Sequence, residues 1–139
     1  MAETEDKWVE AVAKLIKLTQ ENKIKWSSSK PPDNLKGDAD DYVETVFLTK
    51  YNEKNLRLYK RIYKVELDYL TSLGHFKIGT SLPKYTWRSE VILEMLDLGN
   101  NKIWTFPTVT PLQDLLTSVS YQVADVNAFI ENLLNESET

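Results

Sequence analysis

The chain has 139 residues, 42% of them hydrophobic and 27% charged, as expected of one folded domain with its own core. It contains no cysteine, which excludes a disulfide framework, thiol catalysis and thiolate metal sites. A net charge of −4 weighs against general nucleic-acid binding, which depends on cations that neutralise phosphates.

The first predicted element is a helix over residues 4–21. Trp8, Val12, Leu15 and Ile16 recur at helical spacing, and Ala11 and Leu18 widen the stripe. Glu5, Asp6 and Glu10 near its start and Lys14 and Lys17 near its end suit the helix dipole. Asn22 is placed to end it. The acidic N-terminus has neither the positive charge nor the apolar run of a secretory leader, and no stretch approaches the ~20 apolar residues of a membrane span. A cytoplasmic location without membrane attachment is therefore expected.

In "KIKW", residues 23–26, Ile24 and Trp26 alternate with lysines, the pattern of a short strand. Residues 27–41, "SSSKPPDNLKGDADD", read as a flexible loop around Pro31-Pro32 within a single domain spanning 1–139. From Tyr42 the pattern is β. "YVETVFLTKY" places Val43, Thr45, Phe47 and Thr49 on one parity. Residues 52–55 form a tight hairpin turn and residues 56–65 return antiparallel. Residues 84–96 give a third long strand, with Tyr85, Trp87, Val91, Leu93 and Met95 on one face. "IWTF" then closes the meander after the turn "DLGNNK". Between the second and third strands, residues 66–83 make a longer semi-apolar excursion, with a short helix expected over 67–73.

The chain closes with helix. Thr110, Pro111 and Gln113 have the spacing of a capping box with proline at the first helical position. Leu112, Leu115, Leu116 and Val119 form one stripe, and Val126, Phe129, Ile130, Leu133 and Leu134 a second. The alternation of Val119, Tyr121 and Val123 places a break near residues 119–124, after which Asp125 is positioned to cap a new helix. Trp104, Phe106, Pro107 and Pro111 lie close together in "KIWTFPTVTPLQDLL". Strand spacing followed by a helix start makes this a strand-to-helix corner with core aromatics, favoured over a ligand groove. The expected fold is α+β: an antiparallel meander of four or five strands with the N- and C-terminal helices packed on one face.

Few residues carry recognisable chemistry. "GHFKIGTS", residues 74–81, has the glycine and serine spacing of a phosphate loop, but Thr80 stands where the phosphate-binding lysine belongs and a strand follows where a helix should. His75 is the only histidine and has no acid or nucleophile placed beside it by local motif. "DADD", residues 38–41, lacks the glycine and closing glutamate of a calcium loop. No metal or cofactor is expected. Residues 54–64 stand out, because Lys54, Arg57, Lys60, Arg61 and Lys64 are interleaved with Tyr59 and Tyr63. Alternation puts Arg57, Tyr59, Arg61 and Tyr63 on one face, read first as a solvated sheet face, next as an array suited to an acidic protein partner, and last as one for nucleic acid.

"LIKLTQENKIKW", residues 15–26, together with "IWTFP" and "PLQDLLTSV", resembles the opening and close of small uncharacterised bacterial proteins of helix–sheet–helix order. The resemblance covers about a third of the chain and implies that same order and a bacterial or mobile-element origin; it implies no activity. The leading expectation is a non-enzymatic module that binds another protein, as an adaptor, immunity-type inhibitor or chaperone, with a homodimer compatible with an exposed sheet edge. The alternative is a ligand-binding or enzymatic domain with a pocket between the sheet and residues 66–83, lined by His75, Tyr85 and Trp87.

Overall fold

In a computed structural model of the protein, the described residues are 2–66 and 84–136. Helix α1 (Ala2–Gln20) turns its stripe inward, burying Val12, Leu15 and Leu18 with Trp8, Val9 and Ile16 packed alongside. It stops where Asn22 adopts a left-handed φ of 60°. The Asn22 and Lys23 amides donate to the Thr19 and Leu18 carbonyls, the paired bonds of a Schellman end.

Ile24 and Trp26 are buried, as their alternation implies, but the strand does not lie at 23–26. The amides of Lys23 and Ile24 are both spent on the Leu18 carbonyl in closing α1, so pairing starts later. Strand β1 is Ser27–Ser29, antiparallel to the Val46–Leu48 stretch of the next strand. The predicted loop at 27–41 likewise contains regular elements. After β1 comes one helical turn, α2 (Asp33–Lys36), opened by Pro32. Gly37 then bridges to Tyr42.

Gly37 has φ 71° and ψ −158°, a region open essentially to glycine alone. A Cβ there would lie 1.9 Å from the Asp41 carbonyl oxygen. Gly37→Ala is therefore expected to destabilise the protein by at least about 2 kcal/mol. It should also release the Asp38 amide, which donates to that carbonyl. Urea unfolding and amide exchange at Asp38 test this; wild-type values in both would show that the turn relaxes without cost.

Strands β2 (Asp41–Tyr51), β3 (Lys54–Glu66), β4 (Tyr85–Leu96) and β5 (Lys102–Thr105) complete a five-stranded antiparallel meander in the order β1-β2-β3-β4-β5. The β2–β3 turn is shorter than the predicted 52–55. Asn52 and Glu53, with φ of 51° and 66°, are its two central residues, and Lys54 and Asn55 already pair with Tyr51 and Lys50. Two left-handed residues match the right-handed twist of the flanking strands.

The expected parity of β2 fails at one point. Val43 pairs with Arg61 and Val46 with Tyr59, so one extra residue is accommodated at Glu44–Thr45. This bulge reverses which side chains face which layer. Val43 and Val46 share the outer face with Tyr59, whereas Phe47 turns to the helices.

On the helix-facing side Leu56, Leu58, Val91 and Leu93 are buried against α1 and helix α3 (Leu112–Val123). Full burial of such a side chain stabilises by about 1.5–3 kcal/mol. Trp104 and Phe106 pack on Trp8 of α1, with ring centroids at 6.1 and 5.4 Å. The aromatic–proline stretch is thus a strand-to-helix corner clamped by the first helix, but its aromatics are not in the core as expected: Trp104 is 49% exposed and Phe106 only partly buried.

The start of α3 departs from prediction in detail. Pro111 already has helical angles, and no side chain caps the helix. The Leu112 amide donates to the Val109 carbonyl, so Thr110 has no capping role there and the capping box does not form. The break expected near residues 119–124 falls at the C-terminal end of that window. Val119 is fully buried and Tyr121 points outward within one continuous helix. The break falls at Ala124–Asp125, where Asp125 has φ 54°. Helix α4 (Val126–Leu134) follows without a side-chain cap from Asp125. The architecture is α+β, with the first and third helices on one face of the sheet.

Candidate functional site

The outer face of β3 carries the basic–aromatic array. Arg57, Tyr59, Arg61 and Tyr63 do share this face, opposite Glu94, Ile92, Glu90 and Arg88 of β4. Arg57 and Glu94 are only 4% and 3% exposed. Glu94 Oε1 accepts from Arg57 Nε at 2.9 Å and Nη2 at 2.7 Å, and its Oε2 accepts from the Tyr59 hydroxyl at 2.9 Å. Tyr59 is itself buried among Val43, Val46 and Leu35 of α2. Arg61 forks onto Asp41 through Nε at 2.8 Å and through Nη2, and reaches Glu90 with Nη1 at 2.8 Å. Its guanidinium carbon lies 4.5 Å from the Tyr63 ring centroid.

Acidic residues on the neighbouring strands and the preceding turn therefore neutralise three of the five cations of this strand. Arg57, Arg61 and Lys64 are paired with Glu94, with Asp41 and Glu90, and with Asp40 respectively. Arg61 and Tyr63, both half-buried, are the members of the array within reach of solvent.

Two ionisations follow from this geometry. Burial, then the bond to Glu94, raises the Tyr59 phenol well above its ordinary range. The associated stability is complete below the ordinary value of about 10 and is lost as pH rises through the raised one. The Arg61 fork holds the Asp41 carboxyl below the usual aspartate range. That contribution is complete above the ordinary aspartate value and lost as pH falls through the depressed one.

The other side of the same hairpin ends in aromatics. Beyond Leu58 and Val91, where helix cover stops, Ile62, Lys64, Ser89, Trp87 and Tyr85 follow on the helix-facing parity. Tyr85 and Trp87 are exposed. Their rings stand at 86° to each other, and Tyr42 meets Trp87 at 72°. The Lys64 ammonium sits 3.9 Å from the Tyr85 centroid, 5.5 Å from that of Trp87 and 3.3 Å from Asp40 Oδ1. Tyr85 and Trp87 are thus brought together. His75, the third residue of the alternative pocket, lies outside the described residues, as do the 67–73 helix, the 74–81 glycine spacing and the body of the 66–83 excursion.

At the opposite end of the molecule, Gln122 of α3 ties three segments together. Its amide nitrogen donates to the Thr19 and Ile24 carbonyls at 3.0 and 2.7 Å, and its oxygen accepts from the Trp26 amide at 2.8 Å. A polar crevice of about 370 Å³ lies beside it, between the end of α1 and the α3–α4 break, walled by Asn22, Ser118, Tyr121, Asp125 and Asn127. Past that break, α4 buries no residue. Its stripe is open to solvent, with Phe129 64%, Ile130 40%, Leu133 61% and Leu134 77% exposed.

Comparison of the chain with protein-family models, with curated proteins and with solved structures finds no match. No helix among the described residues is long and apolar enough to cross a membrane. The stripe on α4 was visible in the sequence as a periodicity; its exposure was not, because periodicity does not say what covers a face.

Proposed function

We propose that the protein acts by binding another protein, as a non-enzymatic adaptor or inhibitor, and that α4 is its principal contact. The observation that carries this reading is the unburied stripe of Phe129, Ile130, Leu133 and Leu134. Spacing of i, i+1, i+4 and i+5 is that of anchors on one helix face laid into an apolar groove. Such a face stays in water only at a cost, and clustered exposed apolar residues mark interaction surfaces. Glu131 is the only charged residue of α4, and the chain carries −4 overall. These charges favour a partner groove with a neutral or basic rim. Arg61 and Tyr63 are held in position by Asp41 and Glu90 and offer a pre-organised secondary contact.

The test uses the full chain and the double variant Phe129→Glu, Leu133→Glu. Both positions are exposed, so thermal unfolding is expected to stay within the shift of about 0.5 kcal/mol typical of surface changes. A partner recovered with wild type is purified and titrated calorimetrically. The expected result is saturable binding that weakens by about 100-fold in the variant, equivalent to losing two anchor residues. Equal affinity of wild type and variant, or self-association of wild type in light scattering that the variant abolishes, overturns the reading; the second outcome makes α4 a homodimer contact.

A further inference from the structure

We propose that Tyr85, Trp87 and Asp40 form an ammonium-binding cage, occupied here by the protein's own Lys64, which receives a quaternary or methylated ammonium group when Lys64 withdraws. This site is separate from α4 and goes beyond the protein-binding reading.

The geometry is that of a cage and not of a platform. Coplanar exposed rings would suit a sugar or a nucleobase, each of which needs a flat surface to lie on. Here the Tyr85 and Trp87 rings are nearly perpendicular, at 86°, and both lie within 6 Å of one ammonium nitrogen, at 3.9 and 5.5 Å. Two ring faces at right angles meet a compact cation from two sides, where the negative quadrupole of each attracts it. Tyr42 stands edge-on to Trp87 with centroids 6.2 Å apart, which buttresses that wall. Asp40 supplies the opposite charge at 3.3 Å.

Lys64 shows that the cage accepts an ammonium, and its ion pair there adds little to its hold. Its ion pair is to a carboxylate whose side chain is 68% exposed, and exposed pairs of this kind contribute little. A primary ammonium is also strongly hydrated, so it gives up water on entering. A tetraalkylammonium carries the same charge with a weaker hydration shell and fills the space between the rings with methyl groups. Lys64 is also long and flexible enough to swing into solvent, since four methylenes separate its charge from the backbone. It therefore acts as a built-in competitor for an external cation.

The probe is tetramethylammonium chloride, titrated against sodium chloride at matched ionic strength and followed by the indole N–H resonance of Trp87. In Lys64→Ala, saturable binding is expected in the millimolar range, at least tenfold tighter than in wild type. In Lys64→Ala, Trp87→Ala, followed by the backbone amides of Thr86 and Arg88, it is expected to be lost. Matched thermal unfolding of the three proteins separates loss of the site from loss of the fold. A second arm replaces the probe with a short peptide bearing trimethyl-lysine. Tighter binding of the peptide assigns the site to a modified protein side chain, and equal binding to a small quaternary solute. A folded Lys64→Ala protein with no saturable shift up to about 100 mM, or a shift that survives loss of Trp87, overturns the proposal. If Lys64→Ala binds no tighter than wild type, Lys64 is not the competitor and the proposal likewise fails.

Discussion

Glu94→Ala is expected to destabilise the protein by about 3–5 kcal/mol, the penalty of leaving one member of a buried ion pair without its partner. Glu94 accepts three hydrogen bonds, two from Arg57 and one from Tyr59, in a site where both charged residues are under 5% exposed. Truncation leaves a guanidinium that can neither lose its proton nor reach water. A phenol donor is stranded beside it. Since domains of this size are stable by about 5–15 kcal/mol in total, the variant should unfold some 10–20 °C lower, as about 1 kcal/mol moves a midpoint by several degrees.

The double variant Arg57→Met, Glu94→Leu should recover the part of the loss that comes from the unpaired guanidinium, because an apolar pair of similar volume avoids desolvating two charges, while the Tyr59 phenol still lacks its acceptor. Urea unfolding of Arg57→Met, of Glu94→Leu and of the double variant gives the coupling directly. A single-variant loss below about 1 kcal/mol would falsify the idea that this pair is sealed from solvent.

Leu115→Ala is expected to cost about 3–5 kcal/mol, and Leu133→Ala almost nothing. Both leucines belong to apolar stripes on the last two helices. Leu115 is fully buried within the cluster formed by α1, α3 and the sheet. Its truncation removes transfer free energy and leaves a cavity that well-packed neighbours fill only in part. Leu133 is 61% exposed, so its truncation falls within about 0.5 kcal/mol. Chemical denaturation of both variants separates a stripe that holds the fold from a stripe that awaits something else. Similar losses in both would mean that α4 packs onto the body of the protein.

Helical periodicity identified α1, α3 and α4, and β-branched and aromatic alternation identified β2, β3 and β4. What escaped the sequence has particular causes. Strand β1 is three exposed serines, which carry no apolar alternation, so nothing marks them as paired. The extra residue at Glu44–Thr45 is invisible without knowing the partner strand, yet it decides which face Val46 and Phe47 occupy. Alternation places the array on β3 on its correct face but does not reveal its acids. Asp41, Glu90 and Glu94 lie 20 to 37 residues away in the chain, and only the strand register brings them opposite the arginines. The same holds for the cage, since Lys64 meets Trp87 through the β3–β4 ladder.

The bonds made by Gln122 span 96 to 103 residues of sequence. During synthesis from the N-terminus, the inner stripe of α1 is made long before α3, the helix that covers it. At about 5–20 residues per second, the interval is on the order of 5–20 s. Throughout that time Val12, Leu15 and Leu18 lack the cover of α3, and the meander emerging behind them presents the matching leucines of β3 and β4 first. The sheet is thus made in time to shelter the first helix, and the Gln122 bonds can form only once α3 has been made.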